Sequence, residues 1–169
     1  STVYDKAGDI VSAQTDDIEI PAGATKTISQ SVEVLNPKLW SVDSPNLYWV
    51  RTEIIQNGKV VDSTDSRFGI RYIATDPNSG FYLNGVHTKL NGVCEHSDLG
   101  SLGMETYQAA VDRRIRTLKK YGVNAIRTSH NPVSPEFIEA CDRLGMLVFE
   151  EAFDQWLYSK NSDDYHNYF

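Results

Sequence analysis

The sequence has few cysteines, no excess of basic residues and no long apolar run, and each absence excludes a class of protein. Its 2 cysteines are too few for a disulfide framework, so Cys94 and Cys141 are predicted to be free and mostly buried thiols. Acidic residues outnumber basic ones by 23 to 16, which argues against a nucleic-acid partner. No apolar run approaches the ~20 residues that cross a bilayer, and the first residues lack the basic and apolar regions of a signal peptide. We therefore expect a soluble globular protein with no membrane or nucleic-acid partner.

Residues 1–75 have the pattern of an antiparallel β-sandwich. Short runs of alternating apolar and polar residues recur at positions 18–20, 27–34, 48–55, 59–62 and 68–73. Asn57-Gly58 is a strong hairpin signal between two of these runs. Because a sandwich of this kind usually takes about 100 residues, we expect at least one of its strands to precede the chain.

From residue 76 to residue 169 the pattern changes to alternating strands and helices, which places a domain boundary between residues 75 and 76. A small hairpin is predicted around Asn84-Gly85, and a strand then ends near Cys94. The elements that follow are a helix over 104–121, a strand over 123–127, a helix capped by Ser134 and a strand over 146–149. This order predicts right-handed crossovers on a parallel sheet.

Polar residues follow the ends of three predicted strands, where a parallel α/β fold gathers its functional groups. The three groups are His96 with Asp98, Arg127 with His130 and Asn131, and Glu150 with Glu151 and Asp154. Each group also has an ordinary structural interpretation. His96 and Asp98 would suit a solvated loop, Arg127 could neutralise Glu150, and His130 could be an exposed turn residue.

Several kinds of site are disfavoured by spacing. Glu150 and Glu151 are adjacent on a strand and point to opposite faces, so at most one of them faces the site. Cys94, His96 and His130 show no recognised metal-ligand spacing. A glycine-rich phosphate loop, a nucleophile elbow and a dinucleotide fingerprint are all missing from the sequence. We expect no metal and no cofactor.

Residues 124–132, together with Gly145 and the strand after it, resemble the first signature of glycoside hydrolase family 2. Residues 36–48 resemble its Pro-x-Leu-Trp-Ser-x-x-x-Pro-x-Leu-Tyr segment, and residues 68–71, 83–85 and 90–93 resemble its passage from sandwich to barrel. This family contains β-galactosidases, β-glucuronidases and β-mannosidases. The resemblance implies a fragment: a partial immunoglobulin-like β-sandwich followed by the first βα units of a (β/α)8 TIM barrel.

The activity implied by the resemblance is hydrolysis of terminal β-galactoside-type bonds with retention. That chemistry uses two glutamates roughly 5–5.5 Å apart. In the family the acid/base follows an asparagine, and no Asn-Glu pair occurs here, so both catalytic glutamates are expected downstream and the isolated chain is expected to be inactive. A magnesium or sodium ion stays open for the parent enzyme, although the family's ligand pattern is not reproduced after Glu150. The alternatives are a non-catalytic carbohydrate-binding or scaffold module, a β-glucuronidase and a β-mannosidase.

The resemblance also assigns roles to residues of this chain. Arg127 matches the arginine that orients the nucleophile. The residues expected to bind a β-galactoside-like carbohydrate are His96, Asp98, His130, Asn131, Asp154 and Trp156. Asn124 is expected to support neighbouring loops. An incomplete barrel would leave a strand edge uncovered, so self-association is expected as well.

Overall fold

The computed structural model of the protein describes residues 1–152. The chain divides into two compact units. The first contains Ser1–Trp40 and Asn46–Ile70, and the second contains Ser41–Pro45 and the chain from Arg71 onward. Each unit has its own sheet structure.

The first unit is built on a four-stranded antiparallel sheet. Its strands are β1 (Thr2–Tyr4), β2 (Ile10–Ala13), β3 (Tyr48–Gln56) and β4 (Lys59–Phe68), and their order in the sheet is β2-β1-β3-β4. The predicted hairpin is confirmed, because Asn57 and Gly58 join β3 to β4 with φ angles of 52° and 74°. Two positive φ angles give the turn whose twist matches that of the flanking strands.

Two of the strands predicted for this unit are absent. Residues 18–20 and 27–34 form no strand within the described chain, and Ile18, Ile20 and Ile28 are 38%, 53% and 40% exposed. Alternating apolar and polar residues place the apolar side chains on one face of a strand. A strand also needs a neighbouring strand that forms hydrogen bonds with its backbone N–H and C=O groups. The predicted run over 68–73 is interrupted as well, because β4 ends at Phe68.

The interruption after β4 coincides with a close approach to Trp40, which is 2% exposed. A Cβ atom at Gly69 would lie 3.1 Å from the Trp40 Cβ, so only glycine fits without displacing the indole. The Trp40 amide donates to the Ile70 carbonyl at 2.8 Å. The chain therefore leaves the sheet here to pack along the tryptophan.

The second unit contains two three-stranded sheets. The antiparallel sheet consists of β5 (Ile73–Asp76), β6 (Gly80–Leu83) and β7 (Val86–His87). The parallel sheet has the order β10-β9-β8, and its strands are β8 (Gly92–Glu95), β9 (Ala125–Thr128) and β10 (Leu147–Phe149). The crossovers carry α1 (Gln108–Lys120) and α2 (Pro135–Leu144), so the predicted strand and helix order is confirmed.

Local signals explain where α2 begins and ends. The predicted helix over 104–121 is shorter than expected, since α1 begins only at Gln108, with no side chain capping its N-terminus, and ends at Lys120. Ser134 caps α2 by accepting a hydrogen bond from the Phe137 amide. Gly145 ends α2 in the left-handed conformation, with a φ of 77°.

The helices pack on the parallel sheet through one apolar core. Its buried members are Val111, Ile115, Ile126, Phe137, Ala140, Cys141 and Met146. Cys141 is therefore buried as predicted, whereas Cys94 is exposed, and the prediction for Cys94 was wrong. Asn124 supports two loop positions as expected, since its amide accepts from the Asn91 amide and donates to the Lys89 carbonyl, each at 2.8 Å.

Lys119, at the end of α1, is surrounded by carbonyl groups. Its ammonium donates to the carbonyls of Val42, Leu144 and Gly145 at 2.5, 2.6 and 3.0 Å. The three donors of one ammonium are thereby used in joining Ser41–Pro45 to the end of α2.

Within residues 1–152, no helix combines the length and the apolar character of a membrane span.

Candidate functional site at the carboxyl edge of the parallel sheet

The register of the parallel sheet brings three strand ends together. Arg127 on the central strand β9 is the register partner of Cys94 on β8 and of Phe149 on β10. Because register partners in a parallel sheet share a face, groups two residues further along each strand share it as well. The side chains at this edge therefore converge beside Arg127.

Arg127 and Glu151 form the centre of the cluster. Arg127 Nε donates to Glu151 Oε1 at 2.5 Å, and the Glu151 amide donates to the buried Thr128 hydroxyl at 3.0 Å. The Glu151 side chain is 19% exposed, against 42% for Arg127. Glu151 is thus fixed through both its backbone amide and its side-chain carboxylate, and the carboxylate holds the Arg127 guanidinium in one orientation.

His130 joins the same pair. Its Nδ1 atom lies 3.1 Å from Glu151 Oε2 and 3.1 Å from Arg127 Nη2. His96 contacts His130 edge-on, with ring centroids 6.0 Å apart. Two histidines from successive strand ends therefore meet around one arginine–carboxylate pair.

Electrostatics keeps the central pair charged. The hydrogen bond from Arg127 holds the pKa of the Glu151 carboxyl below its ordinary value, and the contact with His130 acts in the same direction. Hydrogen bonding to Glu151 in turn raises the pKa of Arg127. The exposed Cys94 thiol lies 3.6 Å from Arg127 Nη1, and this neighbour lowers the pKa of the thiol. The site therefore presents an ionised carboxylate and a guanidinium at neutral pH.

The remaining predicted site residues are placed differently. The Asp98 side chain is 67% exposed and lies 3.8 Å from Arg114 of α1. Asn131 is exposed in the loop that follows β9. Asp154 and Trp156 lie outside the described residues. Among the predicted residues, the structure therefore brings Arg127, His130 and His96 together.

Glu151 was not among the residues assigned to the site from the sequence. At most one of Glu150 and Glu151 was expected to face the site, and the alternative pairing of Arg127 with Glu150 is wrong. Strand alternation combined with register would have identified the correct one. Phe149 is the register partner of Arg127, and Glu151 lies two residues further along the same face.

A cavity of about 360 Å³ lies beside this cluster, under the loop that connects β8 to α1. His96, Asp98 and Arg114 are among its polar lining residues. Leu99, Val133 and Phe137 are among its apolar lining residues. Within residues 1–152, no three histidine, cysteine, aspartate or glutamate side chains converge in a way that could hold a metal ion.

The chain matches two protein-family models. The model for the TIM barrel domain of glycosyl hydrolases family 2 matches residues 75–162, and a second model for glycosyl hydrolases family 2 matches residues 1–71. The chain belongs to glycosyl hydrolase family 2. The predicted family and fold class, an immunoglobulin-like domain followed by the start of a TIM barrel, are thereby confirmed.

Two relatives show how much of a family 2 protein the chain represents. It is 41% identical to the β-galactosidase BoGH2A of Bacteroides ovatus over 169 residues, which is 100% of this chain and 20% of that protein. It is 44% identical to a putative β-glucuronidase of Formosa agariphila over 137 residues, which is 81% of this chain and 13% of that protein. The chain therefore spans a fifth or less of the length of these relatives.

Solved structures agree with the sequence relatives. A family 2 member from Bacteroides cellulosilyticus superposes with a TM-score of 0.90 at 42% identity, covering 99% of this chain and 22% of that one. A β-glucuronidase from Bacteroides uniformis superposes with a TM-score of 0.81 at 33% identity, covering 89% of this chain and 18% of that one. The fold described here is thus shared by a family 2 member and by a β-glucuronidase.

Proposed function

We propose that the protein to which this chain belongs is a retaining β-glycosidase acting on terminal β-galactosides. The observation that carries the proposal is the cluster of Arg127, Glu151 and His130 at the carboxyl edge of the parallel sheet. TIM-barrel enzymes build their active sites at this edge. The identity to a β-galactosidase along the whole chain supports the choice of sugar.

Retaining hydrolysis needs one carboxylic acid that donates a proton and one carboxylate that attacks the sugar, about 5–5.5 Å apart. A general acid of this kind needs a raised pKa, whereas the pKa of Glu151 is lowered by Arg127. Glu151 is therefore suited to be a fixed counter-ion and unsuited to be the acid. Both oxygens of the Glu151 carboxylate are already held by Arg127 and His130, and the family resemblance places both catalytic glutamates on later barrel strands, where we assign them.

The side chains of this chain then act on the nucleophile and the sugar. Nε of Arg127 is held by Glu151, while Nη1 and Nη2 contact Cys94 and His130 at 3.6 and 3.1 Å. Because each Nη group has two N–H donors, one donor on each is left for a second carboxylate, which Arg127 would orient and keep ionised. His130 and His96 lie at the same edge and are assigned to sugar hydroxyl groups, together with Asp98 and Asn131. Asp154 and Trp156 are assigned to the sugar from the family resemblance alone.

The proposal is tested by assaying the full-length protein and the isolated chain with nitrophenyl β-galactoside and nitrophenyl β-glucuronide. We expect the full-length protein to turn over the galactoside with a higher kcat/KM and the isolated chain to turn over neither. A full-length protein without glycosidase activity would support the non-catalytic carbohydrate-binding alternative. Genuine turnover by the isolated chain would contradict the assignment of the catalytic carboxylates.

A second candidate activity is hydrolysis of β-glucuronides. It is favoured by the 44% identity to a putative β-glucuronidase. A glucuronide carries a carboxylate at C6 where a galactoside carries a hydroxymethyl group, and the two sugars also have opposite configurations at C4. A glucuronidase must pair that carboxylate with a cation or hydrogen-bond donors. A higher kcat/KM for the glucuronide in the same assay would replace the galactosidase assignment and leave the retaining mechanism unchanged.

We further propose that the isolated chain self-associates through its parallel sheet. Among the described residues β10 pairs with β9 alone, and Phe149 at its end is 71% exposed. An unpaired strand edge beside an exposed aromatic side chain is a site for pairing between chains. Light scattering should show species larger than a monomer at micromolar concentration, and a clean monomer would contradict this proposal.

A further inference from the structure

The loop between β8 and α1 carries two of the residues assigned to the sugar, His96 and Asp98, yet little apolar packing supports it. Most of residues 96–107 are exposed, and the cavity of about 360 Å³ lies on the inner side of the loop. Leu99 is half-buried against the core. A loop with so few buried apolar contacts opens easily unless polar contacts hold it.

Arg114 of α1 supplies such contacts from below. Its Nη1 atom pairs with Glu95 Oε2 at 2.8 Å, and its Nη2 atom donates to the Asp98 carbonyl and lies 3.8 Å from the Asp98 carboxylate. The side chains of Arg114 and Glu95 are only 23% and 20% exposed. One guanidinium thus holds the last residue of β8 and the first turn of the loop.

These two contacts flank His96 in the sequence. Glu95 precedes it, and Asp98 follows it closely with an amide that donates to the His96 carbonyl at 2.8 Å. Fixing both neighbours limits the rotation of the backbone that carries the imidazole. The same contacts set the position from which the exposed Asp98 carboxylate projects.

We propose that Arg114 is a positioning residue that holds His96 and Asp98 in place for the sugar. This inference rests on the proposed glycosidase function, because it takes the two side chains as sugar contacts. Arg114 itself touches the loop and not the substrate. A lysine could keep the charge but not the planar fork that reaches Glu95 and Asp98 at once.

The first experiment is hydrogen–deuterium exchange on the full-length protein. In Arg114→Gln we expect amides of residues 97–103 to exchange about tenfold faster, while α1 amides stay within about twofold of wild type. The matched control is Arg113→Gln, which changes an exposed arginine on the same helix. Equal loop exchange in the two variants would overturn the proposal.

Arg114→Lys is a second variant, used in case Arg114→Gln destabilises the whole of α1. If Arg114→Gln loses protection throughout α1, the lysine variant decides: a loop that exchanges faster above a protected α1 supports the proposal, and a loop that exchanges like wild type overturns it.

Kinetics on the same proteins separates positioning from simple stability. In Arg114→Gln we expect KM for the galactoside to rise about tenfold with kcat within about threefold, because weaker sugar contacts affect binding first. Arg114→Lys should recover part of the loss, and Arg113→Gln should match wild type. A loosened loop with an unchanged KM would overturn the positioning role. Wild-type turnover tests the proposed function separately, and the exchange result on Arg114 holds whatever the enzyme hydrolyses.

Discussion

The two sheets at the centres of the two units differ in how strand length relates to burial. The first unit has the longer strands, β3 with 9 residues and β4 with 10, yet most of β4 is exposed and Ile54 and Ile55 are 50% and 57% exposed. The parallel sheet of the second unit has strands of 3 or 4 residues, and Ile126 at its centre is 0% exposed. A short strand covered by helices thus buries its side chains more completely than a long strand with no cover. We therefore expect substitutions in the parallel sheet and its helices to lower stability more than substitutions in the exposed hairpin.

The two regions also differ in their arginine–carboxylate pairs. Arg51 and Asp65 make two hydrogen bonds of 2.8 Å across the first sheet, but both side chains are about half exposed, at 48% and 52%. Arg127 and Glu151 share their contacts with His130 at the edge where strands of the second unit end. Good hydrogen-bond geometry alone thus does not distinguish an exposed pair on the face of a sheet from a pair at the ends of its strands.

The largest expected effect is on catalysis, and it tests the comparison of the two arginine–carboxylate pairs. In the full-length protein, Arg127→Lys should lower kcat/KM for the galactoside by about 100-fold or more, because an ammonium cannot hold Glu151 and a second carboxylate as a planar fork does. Arg51→Lys, the matched change in the first sheet, should leave kcat/KM within about twofold. Steady-state kinetics with nitrophenyl β-galactoside measures both. Similar losses in the two variants would refute the functional assignment of Arg127.

The comparison of burial is tested by two isoleucine truncations. Ile115→Ala removes a fully buried side chain from the core of the second unit and should lower the free energy of unfolding by about 3 kcal/mol. Ile54→Ala in the exposed hairpin should cost less than about 0.5 kcal/mol. Urea unfolding followed by circular dichroism measures the difference, and equal losses would mean that the hairpin is covered in solution.

Lys119 should show a smaller effect than the core. Lys119→Met leaves three carbonyls without their donor and should lower the free energy of unfolding by about 2 kcal/mol. Lys120→Met, at the exposed neighbouring position, is the control and should be close to neutral. The same urea experiment applies. A neutral Lys119→Met would show that water replaces the ammonium.

The smallest expected effect is a dependence on pH. The pKa of Glu151 is lowered in the folded protein, chiefly by Arg127. The ionised carboxylate therefore contributes to the free energy of unfolding above the ordinary glutamate pKa, about 4.3, and this contribution is lost as the pH falls through the lowered value. Glu151→Gln should therefore be less stable than wild type at pH 6, with the difference shrinking toward pH 3. Glu150→Gln provides the baseline. Thermal unfolding at several pH values measures this, and a difference that grows in acid would contradict the sign.

The same contrast explains what could be predicted from the sequence. The helices and strands of the second unit carry their signals locally, in Ser134, Gly145 and the apolar period of α1. In the first unit the alternation at 18–34 indicated strands for which the described chain provides no partner, while β1 was too short to show a period. Pairing is a property of two segments, so one segment alone does not determine it.

The candidate site likewise contains residues that could be identified from local sequence and residues that depend on pairing or packing between elements. Arg127 and His130 were identified at the end of one predicted strand, and His96 was identified after the end of another. Glu151 required the register of β10 against β9 in addition to alternation. The link between Asp98 and Arg114 spans a loop and a helix turn, and only the folded chain brings the two together.

Trapping the glycosyl-enzyme intermediate tests the central claim most directly. The full-length protein is treated with a 2-deoxy-2-fluoro-β-galactosyl fluoride, and the labelled peptide is identified by mass spectrometry. The account predicts one sugar attached to a glutamate outside residues 1–169, with slower labelling in Arg127→Lys than in Arg51→Lys. A label on Glu151, or labelling that is insensitive to Arg127, would contradict it.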